Sequence, residues 1–240
     1  MIGTILNAAG ILLGGILGLT RKSALPAASE AFFKVALGAF TVFYGLRLTW
    51  ISVNGSWSQV LKQLLVILLA LMAGKLTGRL MRLQKLSNSI GRDARERMAK
   101  ATPNDPNRAS EGFKTCTALF CAAPLGILGA LQDGLSGYFY PLIMKGIIDG
   151  LATRGFAPMF GWGVMLSIIP VVAFQGTVTL VSSHYLAPYL RAHELLDPVN
   201  AVGGLLVFSV AMIILDIKKL SIADYLPSLA FAPLLTSLFK

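Results

Sequence analysis

Lys145 and Asp149 stand four residues apart in an otherwise apolar stretch, Tyr138-Phe139-Tyr140-Pro141-Leu142-Ile143-Met144-Lys145-Gly146-Ile147-Ile148-Asp149-Gly150. On a helix that spacing puts both side chains on one face, where they can pair. If the stretch enters a bilayer at Tyr138, Asp149 lies about 16 Å along the axis, near the mid-plane. An ionisable residue at that depth is costly unless it is paired, protonated or hydrated. Two readings follow: a structural ion pair, or a carboxylate that takes up H⁺ or Na⁺ as the protein cycles. The second is favoured, because a desolvated carboxylate can change its charge reversibly.

Other polar groups are set in apolar runs. Asn7 lies on a stripe with Gly3, Gly10, Gly14 and Gly18, and Asn200 occupies a similar setting late in the chain. Either amide can bind a ligand or hydrogen-bond a neighbouring helix. Gln132-Asp133-Gly134 offers an amide, a second acid and a pliable backbone. In a straight helix Asp133 falls near the outer surface, in a solvated turn; in a broken helix it would join freed carbonyls as a cation site. The first geometry is preferred. Pro170 removes a backbone donor and is expected to kink its helix, with Gln175-Gly176-Thr177-Val178-Thr179 following about one turn later.

The composition says what environment these groups occupy. Of 240 residues, 55% are hydrophobic and 13% charged, with a mean hydropathy of +0.70. A soluble domain carries about a quarter charged residues, so an ordinary water-soluble enzyme is excluded. The net charge of +10 does not point to nucleic acid, because ten of the 21 Lys and Arg fall between Lys75 and Lys114, beside and beyond an apolar run. No P-loop, paired metal-ligand histidine motif or Gly-x-Ser-x-Gly is present in the sequence; His184 and His193 both fall in one connection. The expectation is neither enzyme nor metalloprotein, with no cofactor beyond a coupling H⁺ or Na⁺. Cys116 and Cys121, five apart, would lie about 140° apart around one helix and are read as buried thiols.

Positioning these groups takes helices. Runs long enough to cross a bilayer cover 2–19, 31–53, 61–81, 114–131, 138–156, 159–181, 199–215 and 223–239. The fold expected is an all-α polytopic bundle forming one transmembrane domain over 1–240, with about eight segments, or six plus a re-entrant hairpin. The ambiguity lies at 114–157, where Gln132, Asp133, Gly134, Ser136 and Gly137 interrupt an apolar stretch. Arg21, Lys22 and Lys34 flank the first connection, eight basic residues lie from Arg82 to Lys114, and Lys218 and Lys219 follow the seventh run. The positive-inside rule places these loops in the cytoplasm and both termini outside. Because the first run has its basic residues behind it, it reads as a retained helix rather than a cleaved signal.

The basic loop at 82–113 is the one sizeable soluble piece. Leu83, Leu86, Ile90 and Ala94 follow helical spacing among Arg92, Arg95, Arg97 and Lys100, which fits either a helix lying on the anionic leaflet or a solvated linker. Thr102 to Asn107 should end any such helix. The glycine stripe of the first run favours close helix packing, within the chain or between subunits. Asn7-Ala8-Ala9-Gly10-Ile11-Leu12-Leu13 also parallels Asn200-Ala201-Val202-Gly203-Gly204-Leu205-Leu206, each followed by a basic pair and a Leu-Pro. A duplicated helix pair would explain that, and repeats often build transporters.

Gly3-Thr4-Ile5-Leu6-Asn7, Ile127-Leu128-Gly129-Ala130-Leu131-Gln132-Asp133-Gly134, Lys145-Gly146-Ile147-Ile148-Asp149-Gly150 and Phe174-Gln175-Gly176 occur in this order along nearly the whole chain. Together they resemble the bacterial membrane-protein family known as domain of unknown function 554. The resemblance implies a bacterial inner-membrane protein and carries over no substrate or catalytic residue. The residues themselves favour a secondary transporter of a small solute, with Asp149 coupling, Lys145 pairing with it, and Asn7, Gln132, Gln175 and Asn200 as neutral ligands. A scaffold or assembly subunit and an oligomeric ion channel are the alternatives. A chain this short is small to enclose a path alone, which favours a homo-oligomer in the lipid bilayer.

Overall fold

The computed structural model describes residues 1–21, 25–102 and 104–239. Lys22 and Pro103, used above in the charge and turn arguments, lie outside the described residues. Every regular element among the described residues is helical: α1 (Ile2–Thr20), α2 (Ala27–Ile51), α3 (Trp57–Leu80), α4 (Leu83–Lys100), α5 (Arg108–Ala122), α6 (Pro124–Ser136), α7 (Tyr140–Phe160), α8 (Ile168–Val181), α9 (Ala187–Ala192), α10 (Leu196–Ile214), α11 (Ile222–Tyr225) and α12 (Ser228–Leu238). A 3-10 turn at Gly161–Ser167 joins α7 to α8, and a π turn at Ser182–Leu186 joins α8 to α9.

The chain is an all-α membrane bundle. Its first helix buries mainly small and polar residues and exposes large apolar ones: α1 buries Gly3, Thr4, Asn7, Gly14, Gly15 and Gly18 together with Ile11, while Ile5 and Leu13 face outward. Water selects the opposite pattern; lipid, as apolar as leucine, permits this one because close packing of small residues holds the helices together.

Among the described residues, five helical stretches are long and apolar enough to cross a membrane, or six if the bent α5–α6 pair forms one span, against the eight expected. Each difference has a local cause. The fourth run, 114–131, breaks at Ala123, where Pro124 opens α6 and the two helices meet at a 58° bend. The fifth and sixth fall in one helical stretch, Tyr140–Ala192, interrupted where Gly161 adopts φ +71° and ends α7. The eighth divides at Leu226–Pro227 into the short α11 and α12. Pro170 does not kink a continuous helix; it sits in the first turn of α8, where its missing N–H costs least.

Two compact units make up the chain. One comprises Met1–Glu30, Ser87–Asp133 and Gly137–Leu180. Its core joins Ile11, Cys116, Phe120, Ala157, Phe160, Val164 and Val171. The glycine stripe does what its spacing predicts, and within the chain: Gly10 and Gly14 of α1 lie against the backbone of Gly146 and Gly150 of α7. A Cβ on Gly150 would stand 2.6 Å from the Gly10 carbonyl oxygen, so neither helix has room for a side chain there.

The other unit comprises Ala31–Leu86, Gly134–Ser136 and Val181–Lys240. Here α10 meets α2 at Gly204 and Gly45, and α3 packs on α11 and α12 where Gly78 meets Asp224 and Gly74 meets Ser228. Asp224 accepts from Gln84 N at 2.9 Å, while Gln84 Oε1 accepts from Ala223 N at 3.1 Å. The Leu-Pro parallel seen in sequence has a structural counterpart: Pro26 and Pro227 each offer a carbonyl to the N–H groups three and four residues on, opening α2 and α12.

The basic loop at 82–113 contains a helix, α4, which buries Ala94 and presents its charged residues outward; Arg97 donates to Glu111 of α5 at 2.6 Å. α4 ends at Lys100, and ahead of α5 Asn107 N donates to Asp105 Oδ1 at 2.7 Å in a local turn.

Candidate functional site

The site is built on α7. With residues 145 and 149 one turn apart, Lys145 donates to Asp149 Oδ2 within a helix face that is shut from the surroundings. The two residues keep 1% and 5% of their exposure, so each charge depends on the other for compensation. The neighbouring positions 146 and 150 are glycines, and that decides what can approach. A Cβ on Gly146 would lie 2.9 Å from Asn7 Cα, so only a glycine lets α1 come near enough for the Asn7 side chain to reach in.

Asn7 uses that position: its Nδ2 donates to Gln175 Oε1 of α8 at 3.0 Å. Asn7 Oδ1 and Gln175 Nε2 remain buried with no hydrogen-bond partner. An acceptor and a donor thus stand unsatisfied beside an ion pair, in a region where unmet polar groups are costly.

Two further helices close the site. Phe120 of α5 places its ring centroid 5.6 Å from Lys145 Nζ, a cation–π contact. The first turn of α6 abuts the same lysine: a Cβ on Gly126 would fall 2.7 Å from Lys145 Cε and 3.2 Å from Gln175 Nε2. Thr179 Oγ1 donates to Ala130 O at 3.1 Å and so fixes α8 against α6. Thr153 Oγ1 donates to Asp149 O at 2.7 Å, one turn further along α7.

The structure therefore brings together Asn7, Lys145, Asp149 and Gln175 from the residues singled out in sequence. Asp133 lies elsewhere in the same unit. It is buried rather than in a solvated turn, and its carboxylate accepts from Gly3 N at 3.1 Å and lies 3.2 Å from the Met1 amino group. The helix carries on past it to Ser136, and Gly137 in the left-handed region closes it, with Gly137 N donating to Asp133 O and Tyr138 N to Gln132 O. Gln132 is fully buried beside Asp133. Asn200 belongs to the other unit, buried on α10 with Oδ1 lacking a partner. Sequence reasoning passed over Phe120 and Gly126. Pro124 was the available signal, since proline in a first helical turn marks a helix start whose N–H groups face whatever lies ahead.

No group of three or more His, Cys, Asp or Glu among the described residues is arranged to hold a metal ion. Cys116 and Cys121 are free thiols, the first buried and the second half-buried.

Comparison with known proteins gives consistent results. Residues 2–237 match the family model described as "Protein of unknown function (DUF554)". The chain is 26% identical over 233 residues to the uncharacterized membrane protein YdfK of Bacillus subtilis strain 168, covering 97% of this chain and 94% of that one. It is 28% identical over 234 residues to the uncharacterized protein YqgA of Escherichia coli K12, with the same coverage of both chains. No solved structure matches.

Proposed function

Given that the chain belongs to the DUF554 family and is a membrane protein, we propose that it is an ion-coupled secondary transporter of a small solute. The observation that supports this is the buried Lys145–Asp149 pair with two unsatisfied amide atoms at its side, Asn7 Oδ1 and Gln175 Nε2. A purely structural pair gains from having its surrounding polar atoms satisfied. This one keeps a spare donor and a spare acceptor, which a passing solute or ion can use.

In this reading Asp149 changes charge or partner during the cycle, Lys145 compensates it in one state, and Asn7 and Gln175 contact the solute. Gln132 and Asp133 lie outside this cluster; Asp133 serves the start of α1. The broken α5–α6 pair is the kind of discontinuous helix on which transporter sites are built. The protein works without enzymatic turnover, in the bacterial inner membrane, with its basic loops inside and both termini outside, and as a homo-oligomer. The charge distribution along the chain supports that orientation.

The test is thermal stability of the purified protein in detergent, screened against Na⁺, pH, amino acids, organic acids and nucleobases, with Asp149→Asn in parallel. A ligand at about 100 times its Kd stabilises by about 2.7 kcal/mol. A solute that stabilises the wild type, with an effect altered in the variant, supports the reading. Stabilisation by none of them, with a variant that is merely weaker, would return these residues to a structural role and favour a scaffold.

A further inference from the structure

Helix α3 closes on its neighbours through glycine in its last turns, where Gly74 meets Ser228 and Gly78 meets Asp224. Its first turns carry Gln59, Lys62 and Gln63 instead, side chains that need room. The unit that holds α2, α3 and α10 provides it: a cavity of about 330 Å³ lies among the α2–α3 connection, the first turns of α3, the start of α10 and the end of α12. None of its lining residues belongs to the Lys145–Asp149 cluster.

Neutral groups fix the walls. Asn54 N donates to Gln63 Oε1 at 3.1 Å and Gln63 Nε2 donates to Asn54 O at 2.8 Å, which folds the connection onto α3. Ser56 N donates to Gln59 Oε1 at 2.8 Å and opens that helix. Thr49 Oγ1 donates to Ala201 O at 3.1 Å and holds α2 to α10. The cavity is therefore formed before any ligand arrives, as small-molecule sites usually are.

Two charges in the lining are unused. Among the described residues, the side chains of Lys62 and Asp197 form no hydrogen bond or ion pair, with each other or with any third group. Opposite charges that share one cavity without pairing suit a molecule that carries both signs. Glu194 adds a second carboxylate, so the lining has one base and two acids. It follows the end of α9 at φ +57°, a conformation that costs a glutamate more than it would a glycine. Buried Val66 and Ile67, with Ala201, supply apolar surface.

We propose that this cavity binds a free amino acid as its zwitterion, with the ligand's ammonium on Asp197, its carboxylate on Lys62 and its side chain over Val66, Ile67 and Ala201. The excess acid selects within that class. A lysine-like ligand carries one positive charge overall and balances the lining, while an acidic one repeats its negative sign. A bare metal ion is disfavoured, because the Lys62 ammonium lines the same space and no group of three or more His, Cys, Asp or Glu is gathered among the described residues. The site is separate from the one on α7, and neither reading depends on the other.

The test is equilibrium binding of radiolabelled L-lysine to the purified full-length protein in detergent, with L-leucine, L-glutamate and cadaverine as competitors. The expected result is saturable binding that weakens from lysine to leucine to glutamate. Cadaverine, which has amines but no carboxylate, should bind about tenfold more weakly than lysine, and Asp197→Asn and Lys62→Gln should each weaken lysine by about tenfold or more, as expected for one lost charge-assisted contact. Glu194→Gln should weaken lysine and leave leucine unchanged. All three side chains are exposed, so the variants should keep the wild-type unfolding midpoint. No saturable lysine binding to folded wild type at millimolar concentrations would overturn the proposal, as would binding unchanged in Asp197→Asn and Lys62→Gln, or cadaverine equal to lysine. The two readings fail separately: lysine binding lost in Asp149→Asn but kept in Asp197→Asn assigns the solute to α7 and rejects this site, while the expected binding without coupled flux in liposomes rejects transport and leaves the site standing.

Discussion

Asn7 Nδ2 donates to Gln175 Oε1 across 3.0 Å, binding α1 to α8 beside the Lys145–Asp149 pair. The bond joins residues 168 positions apart and is fully buried, so it does two things at once: it orients both amides and leaves one free atom on each. Breaking it from either side strands the other amide. Asn7→Leu and Gln175→Leu should each destabilise by about 1–3 kcal/mol, and the double variant should fall short of their sum by about 1 kcal/mol. Reversible unfolding in mixed micelles measures this cycle, and strict additivity would show that the bond is absent in solution.

The approach of α1 to α7 makes that bond possible, and it depends on glycine. Gly10→Val and Gly14→Val put a side chain into the backbone of Gly146 and Gly150. Each should cost about 3 kcal/mol, the upper range for overpacking. Gly91 of α4 has nothing within 4 Å of its Cβ position, so Gly91→Ala should instead gain about 1 kcal/mol from helix propensity. Unfolding midpoints of the three variants check the contrast.

Much of this arrangement was legible in the sequence. The four-residue spacing of Lys145 and Asp149 predicted one helix face, and the glycine stripe predicted close packing, because both depend only on helical periodicity. The span count was not legible in the same way. Apolar composition marks a run as lipid-compatible, yet Pro124 and Gly161 decide where a run breaks, through backbone geometry that composition does not register. Gly126 was overlooked for a related reason. Its significance is the absence of a side chain at a place where α6, α7 and α8 meet, and only the packing reveals that meeting point. The placement of Asn200 in the other unit also lay beyond a sequence comparison that could match two helices but not locate them.

Charge compensation gives a further expectation. Lys145→Met leaves the Asp149 charge buried without its partner and should destabilise by about 3–5 kcal/mol. Adding Asp149→Asn removes the stranded charge, so the double variant should recover a large part of that loss. Unfolding of the single and double variants in the same micelles measures the recovery. Equal losses in both would mean that packing by the lysine stem, not its charge, matters at this position.

Asp133 makes a local contribution. Its carboxylate accepts from Gly3 N at the start of α1, so Asp133→Ala should cost about 1 kcal/mol, in the range of a lost helix cap. Amide exchange should accelerate in the first turn of α1 and stay unchanged around Asp149. Uniform acceleration across the unit would assign Asp133 a wider structural role.

The most direct measurement of the central claim is coupled flux. Purified protein is reconstituted into liposomes loaded with a pH-sensitive dye and a Na⁺-sensitive dye, and each solute that stabilises the protein is added outside, with Asp149→Asn in parallel at matched insertion. The account predicts solute entry accompanied by movement of one coupling ion in the wild type, and none coupled to an ion in the variant. Coupled entry of equal rate in Asp149→Asn would contradict it.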